Sequence, residues 1–143
     1  MIVERQLTKE EIDQLIEEAP YRETKHLKIF LKSNNISAYD FFKICGIEQF
    51  GLLADNRPIY FAILTKNEKK ECELWTIVNS GVKEIISLCK YSKRRLKEWV
   101  AKHKKIYATL EKAWDDNIKF TEWIGFHKIH EDKDTVTYCI KGE

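Results

Sequence analysis

The chain has 143 residues, with 25 Lys and Arg against 23 Asp and Glu, a formal net charge of +2, and 43% hydrophobic and 34% charged residues. That balance excludes a disordered chain and predicts a soluble globular domain long enough to bury its own core. No apolar run approaches the ~20 residues of a membrane span, and any affinity for phosphate or nucleic acid has to come from local clustering of charge.

Ile2 to Leu7 reads as a first strand. Thr8-Lys9-Glu10-Glu11 is a capping box opening a helix whose apolar face is Ile12, Leu15 and Ile16, stopped by Pro20. A second helix starts near Glu23, with His26, Leu27, Ile29, Phe30 and Leu31 on its apolar side, and breaks at Asn34-Asn35. Ser37 or Asp40 caps a further helical stretch through Phe41, Phe42, Ile44 and Cys45 that ends near Gly46.

Gly51 to Ala54 and Ile59 to Leu64 flank Asp55-Asn56-Arg57-Pro58, a hairpin with turn chemistry at its tip. After a charged turn, Thr65 to Glu71, Cys72 to Val78 reads as a central strand apolar on both faces. Val82, Ile85, Ile86, Cys89, Leu96, Trp99 and Val100 then mark a long helix ending at Lys104-Lys105, where cations suit the helix dipole.

Ile106 to Leu110 is a strand. Asp115 or Asp116 caps a short helix with Ile118, Phe120, Trp123 and Ile124 on its buried side, ended by Gly125. Phe126 to Ile129 and Thr135 to Ile140 alternate around an acidic turn and form a last hairpin. The order is β-α-α-β-β-β-α-β-α-β-β, an α+β single domain over residues 1–143, with no linker or repeat.

Cys45, Cys72, Cys89 and Cys139 have no metal-ligand spacing, and Met1 to Arg5 has no signal pattern, so four reduced thiols in a cytoplasmic compartment are expected. His127 and His130 are the only close histidine pair, and no Cys or carboxylate pattern completes a zinc site. The four tryptophans are mostly core by spacing; Trp114, past a strand end, is the one expected as an exposed contact anchor. The stretch from Val82 to Lys105 holds nine Lys or Arg and two Glu, a local excess of seven positive charges, with no aromatic platform interleaved. A solvated helix face is its plainer reading; an acidic protein face or a nucleic acid is the sharper one.

Leu74-Trp75-Thr76-Ile77-Val78, the loop after it, a helix carrying Ser92-Lys93-Arg94-Arg95-Leu96, and Phe120-Thr121-Glu122-Trp123-Ile124-Gly125-Phe126 follow one another at telling separations. In that order they resemble the GNAT-like acyl-CoA N-acyltransferase fold. Within it they are similar to a tailed-phage branch, the internal virion protein A family of T7-like phages, whose members are described as acetyltransferases or as virion and morphogenesis proteins.

The residue pattern gives no metal site, and the resemblance implies acetyl-CoA as cofactor. Its pyrophosphate would lie on the loop after the fourth strand, at Ile77, Val78, Asn79, Ser80, Gly81 and Lys83, because phosphate oxygens need several N–H donors at a helix start. Glu73 falls near the family's usual base, with Glu48 a second candidate. Thr121 falls where the family has the tyrosine that protonates the leaving thiolate, while Tyr107 and Tyr138 are other proton donors nearby in sequence. The family's Asn before that helix falls on Trp114, with Asn117 three residues later.

Three positions therefore depart from catalytic members: the loop keeps one glycine and no Arg or Gln, Trp114 replaces Asn, and Thr121 replaces Tyr. The resemblance then implies a phage virion or assembly protein, located in the virion or host cytoplasm, with the basic helix Lys83 to Lys105 as a protein-contact surface. Two alternatives stand beside it: an active acetyl-CoA-dependent N-acetyltransferase, and a host-interaction module using the basic helix.

Overall fold

The computed structural model describes residues 2–19, 21–79 and 85–142. Among them are seven strands and five helices: β1 (Ile2–Arg5), α1 (Lys9–Glu18), α2 (Tyr21–Ser33), α3 (Ala38–Cys45), β2 (Gly46–Ala54), β3 (Arg57–Lys66), β4 (Cys72–Val78), α4 (Ile85–His103), β5 (Lys105–Glu111), α5 (Asp115–Trp123), β6 (His127–Glu131) and β7 (Thr135–Lys141). The strands form a mixed sheet in the hydrogen-bonded order β1-β2-β3-β4-β5-β7-β6. The class is the α+β one expected, and α3 is the further helix expected between Ser37 and Gly46. The chain forms two compact units, residues 1–65 with 75–85, and residues 66–74 with 86–143.

In the first unit, α1 begins as its capping box requires. The Thr8 hydroxyl accepts from the Glu11 N–H at 3.2 Å, and the Glu11 carboxylate accepts from the Thr8 N–H at 2.9 Å. Arg5 adds a two-pronged ion pair to the same carboxylate, at 2.8 and 2.6 Å. The guanidinium and the capping bonds together lower the Glu11 carboxyl from 4.5 to about 2. Ile12, Leu15 and Ile16 turn into a core with Leu27, Phe42, Leu53, Phe61, Ile63 and Ile77. Ser37, rather than Asp40, caps α3: its hydroxyl accepts from the Asp40 N–H at 3.1 Å.

The β2–β3 hairpin is longer than expected and its loop is two residues, Asp55 and Asn56, at φ 50° and 68°. Positive φ at both positions is the twist-matching hairpin geometry, and short polar side chains tolerate it. Pro58 lies within β3 beside a register shift at Leu52/Leu53, where a missing N–H is tolerated. Gly51 is required by packing: a Cβ there would sit 2.2 Å from Leu7 Cγ.

The strand buried on both faces is β3, from Pro58 to Thr65, and not β4. In β4 only Cys72 and Ile77 are buried, and Leu74, Trp75, Thr76 and Val78 are half-buried. The α2 face also differs, since Ile29 and Phe30 are exposed while Leu27 and Thr24 are buried. Phe30 packs on Phe41 at 5.0 Å between ring centroids, and Phe41 on Trp75 at 6.1 Å.

In the second unit, α4 buries Leu88, Leu96, Trp99 and Val100; Cys89 is half-buried, and the side chains of Val82, Ile85 and Ile86 lie outside the description. Lys104 and Lys105 do not belong to the last helical turn. Lys104 takes φ 73° and donates its N–H to the Val100 carbonyl, and Lys105 opens β5. β5 pairs antiparallel with β7 from Lys105↔Lys141 to Glu111↔Thr135, and β6 closes the edge.

Trp114 is the residue before α5 and no side chain caps the helix; Asp115 and Asp116 instead occupy its first turn, favourable to the helix dipole. Trp123 is 53% exposed rather than core, and Thr121 takes a buried position in its place. Gly125, at φ 118°, ends the helix as expected.

Removing the Thr8 hydroxyl by Thr8→Ala is expected to lower stability by about 1 kcal/mol in denaturant unfolding. Glu11 has a folded pKa below its ordinary 4.5, so its contribution is complete above that value and is lost as pH falls toward 2. An acid titration of unfolding free energy is expected to show a shallower decline between pH 4.5 and 2 in Glu11→Gln than in the native chain.

Candidate functional site

Glu73 stands near the start of β4, in the second unit, directly across from Tyr107 of β5 in the parallel register Cys72↔Ile106, Glu73↔Tyr107. Its carboxylate is half-buried and accepts from the Asn67 amide at 2.8 Å through Oε1. Asn67 also organises the loop before it. Its Oδ1 accepts from the N–H groups of Lys69 (2.9 Å) and Glu71 (3.0 Å), and its own N–H donates to the Glu71 carbonyl at 3.0 Å. The base candidate is therefore held by a fixed neighbour. Asn67 was missed in the sequence, although an Asn opening a charged turn is a recognised turn former.

On α5, in the same unit, the acid candidate is differently placed. Thr121 is 7% exposed and donates its hydroxyl proton to the Asn117 carbonyl one turn back, at 2.7 Å. That is local back-bonding inside a helix, which uses the only proton a threonine can offer. The structure thus joins Thr121 and Asn117, but through Asn117's backbone and not its side chain. Tyr138 is buried and donates to Glu122 at 3.0 Å; burial, then the Glu122 carboxylate, push its hydroxyl above the ordinary tyrosine range. Tyr107 is half-buried with the Lys105 ammonium 5.8 Å from its ring centre.

In the first unit, β4 ends at Ile77 (buried) and Val78 (half-buried), followed by Asn79. Asn79 is 4% exposed, and both its backbone and its side chain are bonded within the chain. Its N–H donates to the Ile59 carbonyl at 3.0 Å and its amide to Glu18 Oε2 at 2.8 Å. Glu18 also accepts from Arg57 and Gln14, and the Gln14 amide and the Arg57 guanidinium are the main reasons its carboxyl lies below the ordinary range. No local signal connects residues 18 and 79. Ser80, Gly81 and Lys83 lie outside the described residues. Glu48 is a half-buried residue of β2, paired with Leu64.

On α4 the side chains of Lys90, Lys93, Arg94, Lys97 and Lys102 are exposed, and Arg95 pairs with Glu98 at 3.2 Å. Aromatic rings do accompany this stripe, contrary to expectation: the Lys93 ammonium lies 4.6 Å from the centre of Trp123, and Arg94 lies 5.0 Å from that of Tyr91. The helix spacing alone could not show Trp123, which arrives from α5. None of Cys45, Cys72, Cys89 and Cys139 is in a disulfide. Among the described residues no group of three His, Cys, Asp or Glu is placed to hold a metal ion, and no helix is long and apolar enough to cross a membrane.

No protein-family model matches the chain, and neither does any curated protein sequence. Solved structures do match, over nearly the whole length of both partners. The ribosomal-protein-S18-alanine N-acetyltransferase of Escherichia coli superposes with a TM-score of 0.67 at 13% identity, covering 99% of this chain and 94% of that one. The Campylobacter jejuni N-acetyltransferase PseH in complex with acetyl coenzyme A gives 0.61 at 17%, covering 100% of each. The PaiA N-acetyltransferase of Thermoplasma acidophilum in complex with coenzyme A gives 0.69 at 17%, covering 99% of each. The chain has the GNAT acetyltransferase fold.

Because the Asn79 amide serves Glu18, Asn79→Ala is expected to cost about 1–2 kcal/mol in chemical unfolding, the scale of a half-buried hydrogen bond to a charged group. The same variant is expected to leave acetyl-CoA affinity, measured by calorimetry, within about threefold of native. A loss of tenfold or more with unchanged stability would make Asn79 a cofactor ligand instead.

Proposed function

We propose that this GNAT-fold chain is a virion or assembly component of a tailed phage, working in the particle or the host cytoplasm, whose acetyl-transfer machinery has been partly given over to internal contacts. The observation that carries the loss of catalysis is Thr121. At the position where the resemblance expects a tyrosine acid, a buried hydroxyl donates its proton to the Asn117 carbonyl. Asn79 supports the same reading, since its backbone N–H is spent on the Ile59 carbonyl and its amide is turned to Glu18. The phage assignment itself rests on the resemblance of residues 74–126. The exposed Lys90, Lys93, Arg94 and Lys97 of α4 supply the contact surface for an acidic face of a protein partner. Calorimetry with acetyl-CoA is expected to show binding weaker than micromolar, and no amine is expected to be acetylated. Micromolar affinity together with turnover would overturn the proposal.

A second reading is favoured by Glu73. Its carboxylate, held by Asn67 on β4 across from Tyr107, supports a role as base, since the resemblance expects one near the start of that strand. Acetyl-CoA, when bound, would supply the acyl thioester. Glu73 would take the proton from the attacking amine, directly or through a water, and solvent in place of Thr121 would protonate the departing thiolate. In this reading Glu73→Gln lowers kcat by about 100-fold or more while the melting curve stays within a few degrees of native. Unchanged turnover in Glu73→Gln would remove Glu73 from the scheme.

A further inference from the structure

We infer that the second unit holds a binding site for a small dianion of the phosphomonoester class, at the start of β4 and β5. A cleft of about 320 Å³ opens there. Its basic lining is Lys66, Lys70, Lys105 and the His103 imidazole; Glu71 is the one lining carboxylate, and Tyr107 and Cys72 complete the wall. Cys72 is the first residue of β4, whereas Asn79 follows its last, so this is not the loop to which the resemblance assigns a pyrophosphate.

Both walls are built by backbone geometry and do not depend on the lysines themselves. One is the turn closed on Asn67, in which the Lys70 N–H donates to the Asn67 carbonyl at 2.9 Å and Lys70 takes φ 63°. The hydrogen bonds of Asn67 to residues 69, 71 and 73 hold this turn in one conformation, which sets where Lys66 enters it and Lys70 leaves it. The other wall is the end of α4. Lys104, at φ 73°, donates to the Val100 carbonyl at 2.8 Å and accepts from the Gly142 N–H at 2.7 Å, which turns Lys105 into the first position of β5. Gly142 meets this turn so closely that an added Cβ would lie 2.9 Å from the Val100 carbonyl.

The charge balance decides the ligand. The carbonyl end of α4 brings about half a negative charge, and Glu71 brings one whose Oε1 is shared with the Asn67 amide at 3.3 Å. Three lining ammonium groups exceed that by about 1.5 charges without counting His103, and Glu73, on the same Asn67 amide, is offset by Lys141 opposite Lys105. An anion of charge near −2 answers the excess, and lysines serve phosphate as mobile point charges. The volume lies at the small end of ligand sites, enough for a phosphate on a compact organic group, with the half-buried Tyr107 ring as the apolar surface for it.

The test uses the full chain, observed by amide NMR while inorganic phosphate and then phenyl phosphate are added. Saturable shifts are expected at residues 66–72 and 103–107, with phenyl phosphate binding about threefold or more tighter than inorganic phosphate. Lys70→Ala with Lys105→Ala is expected to weaken both by about tenfold, while Lys97→Ala on the exposed face of α4 changes neither. Non-saturating shifts spread over all lysines, or shifts centred on α4, would overturn the inference. Tyr107→Leu separates the two halves of the site: it should abolish the preference for phenyl phosphate and keep phosphate binding, and loss of neither would also sink the assignment. None of these outcomes depends on whether the chain transfers acetyl groups.

Discussion

Much of the fold depends on one constraint, the burial of β3. From Pro58 to Thr65 every residue is buried, so both faces must be covered and both edges must find hydrogen-bond partners. β2 answers on one edge, through a tight Asp55-Asn56 turn, and β4 stands on the other. On one face Phe61 and Ile63 meet the helical core of α1, α2 and α3. The Asn79 N–H extends the same logic past the end of β4 by pairing with the Ile59 carbonyl, and its side chain ties that point to Glu18. A strand end that closes so many local obligations has fewer groups left for a ligand.

The chemistry of the acetyltransferase fold needs groups that are not already satisfied. Here the polar groups divide. Glu73 is oriented by Asn67 yet keeps its second oxygen outside that bond, the condition of a usable base. Thr121 and Tyr138 are committed inward, one to a backbone carbonyl and one to Glu122. The fold is that of acetyltransferases, but fold and activity are separable, because activity resides in a few side chains that tolerate replacement without loss of the scaffold.

Local rules read most of the elements correctly. The Thr8 capping box, the Ser37 cap and the Gly125 stop each depend on residues within four positions of one another. Misreadings occurred where burial is decided at a distance. β4 looked like the doubly buried strand because Leu74 to Val78 is apolar, yet β3 takes that place. Trp123 looked like core by helical spacing, and is exposed beside Lys93. Asp115 and Asp116 looked like caps, and Trp114 holds that position with no side-chain bond. At the site, Glu73 and Thr121 were legible as positions, but their partners Asn67 and the Asn117 carbonyl were not.

What the sequence by itself determined is the alternation of elements, the caps and turns that bound them, and the α+β class, since these follow from periodicity and short-range hydrogen bonding. The tertiary structure alone decided which polar groups are spent. Glu18 reaches Asn79 across 61 residues, Tyr138 reaches Glu122 across 16, and Lys66, Lys70, His103 and Lys105 gather around one cleft from separate segments. Such pairings come from the packing of distant elements against one another, and no spacing within a single segment encodes them.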